Sequence, residues 1–305
     1  MHLAQPDAAG VSEWQGKTMS VSCRLVCASV VLMAATASAN AFEQQSEFYS
    51  QAQYGYQDSG SSGGWVAGDW YLKVGGAILH APRFEGAARN QFAFQPMISL
   101  GRHGNAARFT SRNDNISLGI VDNGFFRAGV AGKFIWGRDN STHSDIAGLS
   151  RVPFGGELGG FVDVYPTDFL RLRGEMRRGI RSHDGVVVDL AADAFLDFSD
   201  TIRISGGPRV SWASRGYYEA YYGVNAAESA ASGLSPYNPG SGFRSIGAGG
   251  AITWQATDAL ETSVFAEYAR LMGPAGNSTL VRERGSRNQV TIGTSAVYRF
   301  DFSMR

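Results

Sequence analysis

Within the stretch from residue 169 to residue 177 the chain alternates, from Leu170 onward, between two kinds of side chain. Leu170, Leu172, Gly174 and Met176 share one parity; Arg171, Arg173, Glu175 and Arg177 share the other. A period of two belongs to a β-strand, whose successive side chains point to opposite faces. The same division recurs further on. Leu190, Ala192, Ala194 and Leu196 oppose Asp189, Asp193 and Asp197, and Ile204, Gly206, Pro208, Val210 and Trp212 oppose Arg203, Ser205, Arg209 and Ser211. In a soluble antiparallel sheet the apolar face meets a core and the polar face meets water. Here the polar face is too rich in opposed charges, and no helical segments are available to cover the apolar face. A closed barrel, apolar toward lipid and charged toward a lumen, accounts for both faces.

Composition agrees. The 305 residues carry 27 basic and 27 acidic side chains, and this balance argues against nucleic-acid binding, which calls for a basic excess. Thirty-nine glycines with 12 % aromatic residues suit many strands, tight turns and aromatic girdles, and 44 % hydrophobic residues exclude disorder. Beyond the N-terminal region no apolar run reaches the ~18 residues of a spanning helix. Residues 1–39 read as a signal peptide, with Arg24 in the charged region, a short apolar stretch over 25–37, and an Ala37-Ser38-Ala39 cleavage site followed by Ala39-Asn40-Ala41 as a second choice. Met19 fits better than Met1 as the start, because Asp7 and Glu13 are out of place in a signal. Cys23 and Cys27 both fall inside it, which leaves a mature chain without disulfide or thiolate chemistry. Residues 40–68, rich in Gly and Ser, read as a flexible periplasmic lead-in.

Residues 69–302 then read as an all-β domain, a transmembrane antiparallel up-and-down β-barrel of about 12 strands. Strands are expected over 70–80, 91–102, 106–112, 115–121, 125–137, 154–165, 169–177, from 188, from 202, and over 243–255, 260–271 and 288–302. Short connections at 103–105, 122–124, 166–168, 199–200 and 256–258 fall on one side, and long ones at 138–152, 224–242 and 272–287 on the other, the asymmetry of outer-membrane barrels.

On the inward parity stand Lys73, Arg127, Lys133, Arg171, Arg173, Arg177, Arg203, Arg209 and Arg299 against Glu157, Asp163, Glu175, Asp189, Asp193, Glu261 and Glu267. They are candidates either for a selective pore lining or for a paired network that plugs the lumen. Near-equal numbers of both signs favour pairing, since an unpaired charge in a confined lumen is costly. Arg178, Arg244 and Arg270 take lipid-facing parity at the outer strand ends, where they could pair with lipopolysaccharide phosphates. His183-Asp184-Gly185 resembles a catalytic fragment, but no G-x-S-x-G elbow exists, and Asp-Gly is ordinary turn chemistry. His80, His103 and His143 lack metal-ligand spacing. The glycines of 155–160 and 247–250 precede no helix and offer no phosphate cradle. No catalytic, cofactor or metal site is expected.

Several pieces, in order, resemble the MipA/OmpV (MltA-interacting protein) family of outer-membrane proteins. They are Pro82-Arg83-Phe84-Glu85-Gly86, Glu157-Leu158-Gly159-Gly160-Phe161, Arg171-Leu172-Arg173-Gly174-Glu175 with His183-Asp184-Gly185, Gly207-Pro208, Tyr221-Tyr222-Gly223-Val224, Ala231-Ser232-Gly233-Leu234 with Tyr237, Gly285-Ser286-Arg287-Asn288-Gln289 and Tyr298-Arg299-Phe300. The resemblance implies an outer-membrane barrel, and, from some members, a non-enzymatic scaffold linking a lytic transglycosylase to a penicillin-binding murein synthase. Other members imply a porin-like channel for small solutes. Family chains tend to stop near the aromatic residue at Phe300, whereas this one continues to Arg305.

Overall fold

The computed structural model describes residues 68–102, 108–138, 140 and 143–304. The expected signal peptide, nearly all of the lead-in and the turn at 103–105 lie outside the described residues. Eleven strands are present among those described: β1 (Gly68–Pro82), β2 (Asn90–Arg102), β3 (Ile116–Asp122), β4 (Phe126–Ile135), β5 (Gly155–Thr167), β6 (Leu170–Ile180), β7 (Val186–Asp197), β8 (Ile202–Ala213), β9 (Gly242–Gln255), β10 (Leu260–Leu271) and β11 (Asn288–Met304). They form one sheet in the order β2-β1-β11-β10-β9-β8-β7-β6-β5-β4-β3. Every ladder is antiparallel, and the two edge strands, β2 and β3, come back within contact distance of each other. The fold is the all-β transmembrane barrel that the alternation predicts.

Two chemistries fix the register. Opposite charges face each other directly across ladders, as in Arg127↔Asp163, Lys133↔Glu157, Asp163↔Arg173, Arg171↔Asp193 and Asp197↔Arg203. A slip of one residue would also turn every apolar side chain inward. The outer surface is a continuous apolar belt, with Phe92, Phe94, Phe134, Trp136, Ile204, Ile252, Val264 and Phe300 among its exposed side chains. An apolar surface of that extent has lipid as its natural neighbour.

Ten antiparallel pairings lead from β2 around to β3, so those two strands run in the same direction. The chain must therefore climb back between them. In its described part this return, residues 108–115, is not a strand of the wall, as expected for 106–112, but an irregular segment inside the barrel. Phe109 stacks on Phe195 with ring centroids 4.7 Å apart, and Asp114 reaches the arginines of β6. Ion pairs and aromatic stacking in the lumen outcompete a twelfth ladder.

The long connections gather at one end, the end that outer-membrane barrels turn outward. There α1 (Arg215–Tyr222), α2 (Ala226–Ser232) and α3 (Gly273–Asn277) pack into a cap. Tyr217, Tyr218 and Tyr222 are buried with Val187, Ala213, Leu271, Ala275 and Val281, and Ile146, Leu149, Val224, Leu234 and Leu280 form a second cluster. Helix α2 starts with a capping box, in which Asn225 accepts from the Glu228 amide at 2.9 Å and Glu228 accepts from the Asn225 amide at 2.8 Å. The tight turn between β6 and β7 takes its left-handed residue at Arg181, not at Gly185. Gly185 is needed for another reason: a Cβ there would lie 2.2 Å from the Tyr217 amide nitrogen.

Candidate functional site

Strand β6 is the hub of the lumen, because its inward parity carries four charges in succession. Arg171 donates to Asp114 at 2.6 and 2.8 Å and to Asp193 at 2.6 Å. Arg173 donates to Asp163 at 3.1 Å and to Glu175 at 2.8 Å. Arg177 spans three carboxylates, Glu157 at 2.7 Å, Asp189 at 2.6 Å and Glu175. It thereby separates Glu175 from Asp189, which would otherwise face each other as like charges across the β6–β7 ladder. Arg127 joins through Asp163 at 3.5 Å and Asp122 at 3.6 Å, and Arg209 through Asp193. Most of these side chains are buried, Arg171 and Asp193 completely. Such networks gain little over well-packed apolar residues, but losing one member strands the others.

The remaining inward charges sit apart. Lys73 meets Glu261 at 3.7 Å, and Glu267 accepts from Asn113 of the internal segment. Arg203 pairs with Asp197 at 2.6 Å and Arg299 with Asp301 at 2.7 Å, both near the short-turn end and partly exposed. Lys133 has neither a salt bridge nor a hydrogen bond among the described residues. Its cross-strand neighbour Glu157 is already held by Arg177 and by His183 Nε2 at 3.1 Å.

Of the three arginines expected at the lipid face, Arg178 and Arg270 are exposed near the outer strand ends, and Arg270 donates to Asn288 Oδ1 at 3.0 Å. Arg244 is a correction. The β8–β9 register shifts between Ser211 and Trp212, so Ser211 faces Ser245 while Trp212 faces Phe243. Arg244 is the extra residue of this bulge, and it turns inward. It donates to Ser211 Oγ at 2.8 Å, Tyr217 OH at 3.1 Å and Asp189 at 3.2 Å, and lies 3.5 Å from Glu85. Tyr217 in turn donates to Glu85 at 2.6 Å. Burial, reinforced by the Glu85 charge, pushes the Tyr217 and Tyr222 phenols well above their ordinary range.

His183 is buried beneath the cap, its ring edge-on to Tyr217 and Tyr221 at 5.1 and 5.8 Å. Among the described residues its only hydrogen-bond partner is Glu157, so the ring meets no hydroxyl that it could activate. Four lumen residues, Asp114, Asn115, Arg112 and Glu85, escape a reading by strand parity. The polar run Ser111-Arg112-Asn113-Asp114-Asn115, unsuited to a lipid-facing wall, is the signal that could have found three of them.

On the other side of the lumen the wall from β9 through β11 and β1 to β2 carries mainly small or apolar inward residues, among them Ala77, Leu79, Ala93, Met97, Ala251, Phe265 and Val297. A cavity of about 560 Å³ lies between this wall and the internal segment. The lumen is thus packed with paired charges on the β4–β8 side and hollow on the other.

No curated protein matches the chain. Among solved structures it aligns with a bacterial polysaccharide outer membrane secretin over 76 % of this chain and 98 % of that one, at 8 % identity and a TM-score of 0.40. It aligns with Neisserial surface protein A over 76 % and 99 % (9 % identity, TM-score 0.24), and with Ail of Yersinia pestis over 77 % and 99 % (11 % identity, TM-score 0.23). Likenesses this loose carry no functional argument. The profile of the family described as MltA-interacting protein MipA, in contrast, matches residues 74–300, most of the chain and some part of every strand, and the chain belongs to that family.

Proposed function

We propose that this protein resides in the outer membrane, delivered there by a cleaved signal peptide, as a non-enzymatic scaffold for murein-remodelling enzymes. The partners would be a lytic transglycosylase and a penicillin-binding synthase. The observation that carries this reading is the filling of one side of the lumen by the ion-paired segment 108–115, with the Tyr217–Tyr218–Tyr222 cap at the outer end. Membership of a family named for interaction with MltA supports the choice of partner. Docking surfaces would be the lead-in and the short turns at 123–125, 168–169, 198–201 and 256–259, the turns being at the end that outer-membrane barrels direct to the periplasm.

Crosslinked affinity capture from whole envelopes, followed by mass spectrometry, tests the proposal. Enrichment of both enzyme classes, lost when residues 41–68 or the short turns are altered, is the expected result. Recovery of abundant outer-membrane neighbours alone would overturn it. The second reading is a small-solute channel lined by the same charges, favoured by the hollow beside Lys73 and Glu267. It requires a steady single-channel conductance that changes when Arg173 or Asp193 is neutralised.

A further inference from the structure

The two edges of the sheet differ in length. Strand β2 has 13 residues, β3 only 7. Strand β3 pairs with β4 from Asp122 up to Ile116, which faces Gly132. Above that level the β4 edge over Lys133, Phe134 and Ile135 has no strand beside it, and neither has the facing edge of β2 in its outer half. Pro96, in the middle of β2, has no amide hydrogen to offer a neighbour and suits an edge. The wall therefore has a side window in its outer half, between β2 and β4.

The cavity opens at this window. Its lining joins lipid-facing Phe94, Pro96, Ile98, Phe134 and Trp136 to residues of the lumen. Just inside stand two cations with unused capacity. Lys133 has no salt bridge or hydrogen bond among the described residues. Arg112 gives one bond to Gln95 at 3.0 Å and stacks 3.8 Å from the Phe265 ring centre, while its buried Nε has no partner. An apolar slot on the lipid side that leads to cations with spare hydrogen-bond donors on the inside is the shape of an amphiphile.

We propose that the β2–β4 window binds a long-chain fatty acid from the surrounding leaflet. The acyl chain lies across Phe94, Pro96, Ile98 and Phe134, and the carboxylate reaches Lys133 and Arg112. A guanidinium and an ammonium converging on one carboxylate give charge-assisted hydrogen bonds of the strong kind. The cavity, at about 560 Å³, has room for one chain and its head but not for the several chains of a lipid A anchor. This site does not depend on whether a murein enzyme docks at the opposite end.

The test uses the full mature chain in detergent micelles, labelled with a palmitate analogue carrying a mid-chain diazirine, with peptide mapping of the adducts. Labelling concentrated in residues 90–98 and 130–136, and competed by palmitate but not by hexadecanol, is expected. Lys133→Gln should lower it about tenfold, the loss of one charge-assisted bond, and Lys133→Arg should restore it. Glu157, the carboxylate opposite Lys133, keeps Arg177 and His183 in the variant, so the protein should fold, which its heat-modifiable gel mobility will show. Adducts spread evenly around the apolar belt, equal competition by hexadecanol, or undiminished labelling of a folded Lys133→Gln protein would each overturn the proposal.

Discussion

Arg171 holds Asp114 through two parallel hydrogen bonds, Nη1 to Oδ2 at 2.6 Å and Nη2 to Oδ1 at 2.8 Å. This fork ties the internal segment to the wall strand β6, and both groups are buried. Bidentate arginine–carboxylate pairs fix geometry as well as contribute energy. Asp114→Asn should therefore release the segment. Breaking a buried pair costs about 3–5 kcal/mol. The low end applies, because Arg171 keeps Asp193 at 2.6 Å. Urea unfolding in micelles should register that loss, and planar bilayers should show intermittent openings absent from the parent protein. A variant equally stable and equally silent would mean that the segment is held by packing alone.

The cap supplies a pH test. Burial, with the Glu85 carboxylate adding to it, raises the Tyr217 and Tyr222 phenols, and burial likewise raises Tyr218 and Tyr221. A phenol whose pKa is higher folded than unfolded adds nothing to the pH dependence below about 10, where both states are protonated. Above that the unfolded phenol ionises and the folded one resists, so stability falls as pH rises. Between about pH 10 and 12 the protein should show fewer tyrosinates by ultraviolet absorbance than its unfolded chain, and then a cooperative rise as the cap opens. A non-cooperative titration of all tyrosines near 10 would contradict a sealed cap.

Much of this arrangement could be read from residue order because the two faces of each strand differ so sharply. The bounds of β10 are those the alternation predicts, and the charges of β6 point inward as their parity demands. Where reading failed, the deciding contacts lay far away in sequence. The strand expected over 106–112 is absent because the polar run that follows Phe109 pairs inside the lumen, and the partner that draws it there is Arg171, 57 residues from Asp114. Arg244 lay beyond reach for a different reason. A bulge inserts one residue and inverts the parity on its far side, and nothing in Gly242-Phe243-Arg244-Ser245 announces it.

That inversion separates the three outer arginines experimentally. Arg178 and Arg270 are exposed near the outer ends of their strands, while Arg244 is bonded to Asp189, Ser211 and Tyr217 within the lumen. Replacing Arg178 and Arg270 together with Gln should reduce lipopolysaccharide co-purification several-fold, with little effect on stability. Arg244→Gln should leave the lipid content alone and expose the cap to protease, because it removes the cation that ties Tyr217 and Glu85 of the cap to Asp189 and Ser211 of the wall. Lipopolysaccharide loss on Arg244→Gln without cap opening would place its side chain outside after all.

Helix α1 packs tightly on the barrel rim at Gly185, where a Cβ would sit 2.2 Å from the Tyr217 amide nitrogen and 2.9 Å from its Cα. Backbone cannot yield as a flexible side-chain tip can, so Gly185→Ala must push α1 off the rim. Overpacking of this kind typically costs about 1–3 kcal/mol. The displacement would also pull Tyr217 from its contacts with His183 and Glu85. At Gly240, in the β8–β9 connection that carries α1, a Cβ would meet nothing within 4 Å, so Gly240→Ala is the control. Limited proteolysis should cut Gly185→Ala within residues 214–241 while sparing Gly240→Ala and the parent. The apolar barrel wall, paired by ten ladders and independent of the cap, should keep its heat-modifiable mobility in all three. Equal resistance of both variants would mean that the cap is held more loosely than this contact requires.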